Sequence, residues 1–414
     1  MVKDTEVLPL TWAQEAWMAG PPRLGVDDVW RHDVSVPLEL PANTTPDDIE
    51  AAMGRVIARF PTLRARFTRT ATGGLAQDIV PRREVAQRPF APNVVVRLPR
   101  PGRSRAAVTV AVPHAFVDIA GAAALVGAIR EEVLCPGERP EQQDLRRIVA
   151  FERSERAARQ SARGIAHLVT TARMADSLGL EASSPYAELL KGHGLRCDGR
   201  WLSQVLWSRW PGSRVTRAAV MLSLNLIALR RTFDSPKSWL AIRTANRSSD
   251  EDLSFVGLTT RYGWLVEGAD PSLDFRNMVR RSASALMESS LLTRFDPRRA
   301  DEELTTADLT RYPAFYFNYW EDPGARRPGP PGSGAASPGE LDAASGERLV
   351  MPLGVWHFEV NYYAADDLST LIVKYDGDRF TEGHAQQLVS FLREAAVLLH
   401  KNPRVTVAEL LDLP

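Results

Sequence analysis

Hydrophobic and polar positions along the chain switch repeatedly between a two-residue period and a 3.6-residue period. VWRHDVSVPLEL, Val29–Leu40, alternates like a half-buried strand, with Pro37 marking it as an edge. In TTPDDIEAAMGRVIARF, Ile49, Met53, Val56 and Ile57 share one helix face, Thr45 suits the cap and Pro46 the first turn. LRARFTRT, VVVRLP and AAVTVAVPHA predict three more strands, and an Ala/Gly-rich helix follows from near Ile119. Glu152–Gly179 predicts helix, as a bridge between two halves. Beyond Gly199 the alternation resumes. SRVTRAAVMLSLNLIALRRTF and DFRNMVRRSASALMESSLL predict helices, and SWLAIRT and PAFYFNYW predict strands. WHFEVNYYA and STLIVKYDGDRF predict a strand pair before a closing helix, TEGHAQQLVSFLREAAVLLHK. This order implies an α/β (α+β) class with a mixed sheet.

Length turns that pattern into two lobes. A chain of 414 residues exceeds a comfortable single core, and the expected division is an N-terminal lobe over 1–185 and a C-terminal lobe over 186–414. Glu321–Glu347 is the one low-complexity stretch; its Pro, Gly and Ser build no core, so a mobile loop is expected. Acidic and basic residues balance at 51 each, leaving no global field to draw in nucleic acid or an anionic membrane. The two cysteines, Cys135 and Cys197, lie far apart and outside metal-ligand spacing, which points to a reducing compartment. The N-terminus lacks signal-peptide character, and no apolar run approaches the ~20 residues that span a bilayer. A cytoplasmic, monomeric protein is the expectation.

Candidate chemistry concentrates at AVTVAVPHAFVDIAGAAALVGAIREEV, Ala107–Val133. His114 closes an apolar strand, and Asp118 follows just before a helix that starts with small residues. A strand end holds an imidazole rigidly, and Gly121 lets another group approach closely. Such a histidine can take a proton from an amine, hydroxyl or thiol attacking a carbonyl; it can equally serve as a packed side chain. Asp118 either partners His114 or caps the helix. No Gly-x-Ser-x-Gly elbow, nucleotide-binding glycine motif or metal-ligand spacing is present. Arg31–Asp33 reads as surface, His357 as a strand residue with a packed or exposed role, and Trp207 and Trp210 as packing. Cys197 has no activating base in sight.

PHAFVDI resembles the HHxxxDG motif of nonribosomal-peptide condensation domains, in the superfamily that includes chloramphenicol acetyltransferase. Other segments are similar in the same order: LPLTWAQEAW to the opening LTxxQ segment, FPTLRARF and GLAQDIV to LRxxF and its downstream Gln, and NRSSDEDLSFVGLTTRYGWLV to the region where a crossing loop begins. FNYW, LSTLIVKYDGDRF and the closing helix resemble the C-terminal end. The likeness is greatest to stand-alone condensation proteins of biosynthetic clusters. It implies two chloramphenicol-acetyltransferase-like lobes forming a V around a central channel. His114 matches the catalytic histidine. Asp118 matches the motif's structural acid, whose arginine partner falls at Arg64. Ile119, Gly121, Asn318 and Trp356 are the implied channel-lining positions. Pro113 stands where the motif has its first histidine, Ile119 where it has glycine, and Arg261 where many members have asparagine.

Two functions follow from the resemblance. One is an acyltransferase that joins a carrier-protein-bound acyl or peptidyl thioester to a small amine or alcohol acceptor. It would bind no metal or cofactor of its own, the donor arriving on the carrier's phosphopantetheine arm. The other is a retired module that docks a carrier protein or tailoring enzyme, a drift consistent with Pro113 and Ile119.

Overall fold

A computed structural model describes residues 6–19, 33–82, 93–97, 108–183, 191–199, 214–247, 250–309, 311–321, 347–352, 356–364 and 369–413. The chain divides into two compact units. The first comprises 1–162, 245–261 and 294–297, and the second 163–244, 262–293 and 298–414. This is not the consecutive split at 185 expected from the sequence. The chain passes into the second unit within helix Glu155–Ser177 and later returns two segments to the first. The physical reason for the longer return is the ligation of Asp118 described below. Most of Glu321–Glu347 lies outside the described residues, as do His32, Trp207 and Trp210.

The first unit holds two three-stranded sheets. One has the order β1 (Glu6–Pro9), β4 (Leu75–Ile79), β3 (Ala65–Arg69); the other has β2 (Asp33–Leu38), β6 (Val108–Pro113), β5 (Val95–Arg97). In β2, Val34 and Leu38 are buried and the strand is an edge, as its alternation and Pro37 predict. Helix Pro46–Arg59 begins with the expected Thr45 cap, here a reciprocal capping box with Asp48, and buries Ile49, Met53, Val56 and Ile57. Helix Ile119–Leu134 buries Ala122, Leu125 and Ile129 on one side. These join Leu63, Val110, Val112 and Phe116 in the unit's core.

The second unit is built on a seven-stranded mixed sheet. Its order is β10 (Arg261–Glu267), β9 (Ser238–Thr244), β12 (Phe315–Glu321), β14 (Phe358–Ala364), β15 (Thr370–Asp376), β8 (Lys191–Asp198), β13 (Glu347–Pro352). β12 is parallel to β9 and β14, whereas β14, β15, β8 and β13 pair antiparallel in turn. A short ladder of β7 (Ala182–Ser183) and β11 (Tyr312–Pro313) stands apart. Helix Arg214–Phe233 buries almost every side chain from Ala219 to Leu229, because apolar residues there surround the axis instead of forming one stripe. β8 and β13 carry no clear strand pattern in the sequence. KGHGLRCD has two glycines and only Leu195 and Cys197 as buried apolar positions, too few to announce a strand.

Candidate active site

The turn after β6 carries His114, the candidate residue. Pro113 still pairs with Asp33 of β2, and its carbonyl accepts from the amides of Phe116 and Val117, so the chain reverses tightly over His114–Phe116. Phe116 is buried and stacks on Phe67 at 4.2 Å between ring centroids. That contact clamps one side of the turn to the core. His114 is half-buried, its ring stacked on Trp17 at 4.1 Å and 23°. An imidazole held face to face with an indole loses rotational freedom and gains cation–π support when protonated.

Asp118 anchors the far end of the turn and is 0% exposed. It does two jobs. As the helix cap it accepts the Gly121 amide on Oδ1 at 2.8 Å. The same oxygen accepts from Arg247 Nη2, also at 2.8 Å, while Oδ2 takes the amides of Thr259 and Thr260 at 2.9 and 3.0 Å, with both threonine hydroxyls close by. Burial by itself drives this carboxyl toward the neutral acid. The Arg247 charge and the Thr259 and Gly121 amides outweigh that, helped by Thr260, and hold its pKa below the ordinary carboxylate range.

Arg247 is equally enclosed, with a side chain 1% exposed. Its guanidinium also donates to the carbonyls of Asp252, Phe255 and Gly257 at 2.6–2.8 Å. One cation thus ties the return segment to itself and to the turn that carries His114. Gly121 has a steric reason: a Cβ there would lie 2.5 Å from the Gly257 carbonyl oxygen and 3.0 Å from Arg247 Nη2. Ile119, at the motif's glycine position, is half-buried and opens the helix without positive φ. The glycine needed for close approach sits two residues further on.

Arg64 is therefore not the partner of Asp118. It is 1% exposed, but it donates to the carbonyls of Ile57 and Val80 and pairs with Glu141. Burial first, then the like charges of Arg146 and Arg82, lower its pKa to about 10. Its place as the last residue of a one-turn 3₁₀ helix, Pro61–Arg64, aims it at the end of β4 instead.

Asn318 and Trp356 belong to the second unit. Asn318 is buried in β12, its amide donating to Asn361 of β14 at 3.2 Å. Trp356 is half-buried and stacks on Tyr316 at 4.3 Å, with Tyr262 edge-on. His357 takes the packed alternative, buried with Nδ1 2.7 Å from Asp376 Oδ2. Its amide donates to Ala314 and its carbonyl accepts from Asp376, so it closes the strand ends. Cys135 and Cys197 are free thiols, and among the described residues no helix is long and apolar enough to cross a membrane.

Arg247 is the residue that sequence reasoning misses, together with Thr259 and Thr260. NRSS and LTT lie inside a segment singled out for its resemblance, but nothing in their spacing links them to Asp118.

No protein-family model matches the sequence, and neither does any curated protein. Solved structures do match. The first condensation domain of the CDA synthetase is 17% identical, covers 98% of each chain and gives a TM-score of 0.66. The condensation domain of the monacolin K polyketide synthase is 13% identical over 97% of this chain and 99% of that one, with a TM-score of 0.70. The starter condensation domain of rhizomide synthetase, solved with C8-CoA, is 15% identical over 97% and 96%, with a TM-score of 0.65. The chain has the fold of a condensation domain, the chloramphenicol-acetyltransferase-like α/β fold expected from its sequence.

Proposed function

We propose that the protein is a condensation-type acyltransferase that uses His114 to join a carrier-bound thioester to an amine or alcohol. The observation that carries this reading is the anchoring of a half-buried histidine on a turn fixed at one end by Phe116 and at the other by Asp118. A buried ion pair and a ring of backbone donors fix where the imidazole sits, which general-base work at a carbonyl needs. Likeness to condensation domains of synthetases supports the same reading.

In this mechanism the acceptor's N–H or O–H gives its proton to the His114 imidazole as the nitrogen or oxygen attacks the thioester carbonyl carbon. The new C–N or C–O bond forms, the C–S bond breaks, and the imidazolium returns the proton to the departing thiolate. No covalent enzyme intermediate arises. Such general-base help is worth about 10²–10⁴-fold, with alignment of the reactants adding to it. Asp118 is four residues from His114 and bonded to Arg247, so it acts by holding the turn and not by receiving the proton. The donor arm is the carrier's phosphopantetheine.

The test can be run before either substrate is identified. In the producing organism, a His114→Ala allele is compared with wild type and with a deletion, protein accumulation being verified by immunoblot. The His114→Ala strain is expected to lose the same metabolite as the deletion and to accumulate its precursors. A metabolite that persists in the His114→Ala strain but vanishes on deletion overturns catalysis and leaves a docking role.

A further inference from the structure

A cavity of about 230 Å³ lies within the first unit, walled by helix Trp12–Ala19, helix Asp144–Glu152 and the return segments. We propose that it is a binding site for a small monocarboxylate with an apolar or aromatic body. The site is separate from the chemistry assigned to His114 and does not depend on it.

Charge, shape and size lead to that ligand. Three guanidinium groups, Arg147, Arg261 and Arg294, border the cavity against two carboxyls, Glu152 and Asp252. Arg147 is exposed and already faces Asp144 at 3.2 Å. Arg261 is buried, bonded to the Phe295 carbonyl at 3.0 Å and lying over the Phe295 ring, and Arg294 donates to the Asn246 carbonyl. A guanidinium pair in a confined space favours a planar anion that accepts several N–H bonds. Trp12, Phe151 and Leu258 supply the apolar wall. The volume is below the ~300–1,000 Å³ of drug-sized pockets, so the occupant has few heavy atoms.

Glu152 adds to the anion preference. Burial pushes its pKa up to about 7, against the pull of the Trp12 amide, Arg261 and Arg294, while Glu15 pushes it further up. Near neutrality it is a weak counter-ion for the arginines and, when protonated, donates to an incoming carboxylate. A bound anion favours the protonated form, so affinity falls as pH rises through the neutral range. Thr259 lines the same cavity and also donates to Asp118, so the cavity wall shares one residue with the anchor of the His114 turn.

The probe is benzoate, titrated against the full chain at pH 6.5 by ligand-observed NMR, with benzamide and inorganic phosphate as controls. Benzoate is expected to bind saturably, and benzamide and phosphate at least tenfold more weakly. Arg294→Gln is expected to weaken benzoate about tenfold, and Ile148→Trp, which fills the cavity from a half-buried wall, to abolish binding. If benzoate does not saturate, if benzamide or phosphate matches it, or if both folded variants bind it unchanged, the assignment is wrong. The two controls settle the question even if a variant fails to fold.

Discussion

Two carboxyls in the first unit face opposite ways in charge, although both are withdrawn from water. Asp118 is completely buried and held as the anion; Glu152 is less enclosed and has its pKa raised to about 7. Burial therefore does not decide the outcome. Asp118 receives a guanidinium at 2.8 Å and three backbone amides, whereas Glu152 bonds the Trp12 amide and feels its arginines only through space. The difference separates two uses of a buried acid: one is a fixed anchor for a turn, the other a group that titrates where a ligand can exploit it.

The largest effect is expected from removing the anchor's cation. Arg247→Met strands a buried carboxylate and is expected to lower unfolding free energy by about 3–5 kcal/mol in urea titrations. Arg64→Ala is expected to destabilise less, by about 2–3 kcal/mol, through the unpaired Ile57 and Val80 carbonyls. Because Arg64 does not touch Asp118, the losses from Arg64→Ala and Asp118→Asn are expected to add to within about 0.5 kcal/mol in the same titrations. Asp118 has a depressed folded pKa, so its contribution is present above its unfolded pKa, ~3.9, and is lost as pH falls through the folded value. Gly121→Ala forces a Cβ against the Gly257 carbonyl, and a loss of about 1–3 kcal/mol is expected in the same assay.

The most diagnostic effect belongs to Glu152. Its folded pKa is raised, so stability from its protonated form is full below the unfolded value, ~4.3, and is lost as pH rises toward and through about 7. Glu152→Gln keeps an acceptor for the Trp12 amide and removes that titration. Relative to wild type, its Tm is expected to change little at pH 4, to gain from pH 5 to about 7, and then to level off. A flat difference across that range would mean Glu152 titrates as an ordinary surface carboxyl.

Much of the fold is readable in the sequence because it is local. The Thr45 cap, the edge strand with Pro37 and the apolar helix over Ala219–Leu229 each announce themselves within a few residues. So do the strand, turn and helix around His114, including the cap at Asp118. What stays hidden is long-range. Asp118 and Arg247 are 129 residues apart, and an arginine in NRSS carries no local mark of its partner. The resemblance supplies the need for an arginine but selects Arg64, a buried arginine committed to Glu141 and the end of β4. Glu152 is equally silent, since its shift arises from folding it against the start of another helix.

The claim that partners and not burial set the state of Asp118, and so hold the His114 turn, is tested most directly by a double-mutant cycle. Asp118→Asn, Arg247→Met and the double variant are unfolded in urea at pH 7. A coupling free energy of about 2–3 kcal/mol is predicted, with the double variant more stable than the sum of the single losses implies. Single effects that add to within about 0.5 kcal/mol would contradict it, and the turn would then owe its geometry to packing around Phe116 and to the backbone amides on Asp118 without help from the ion pair.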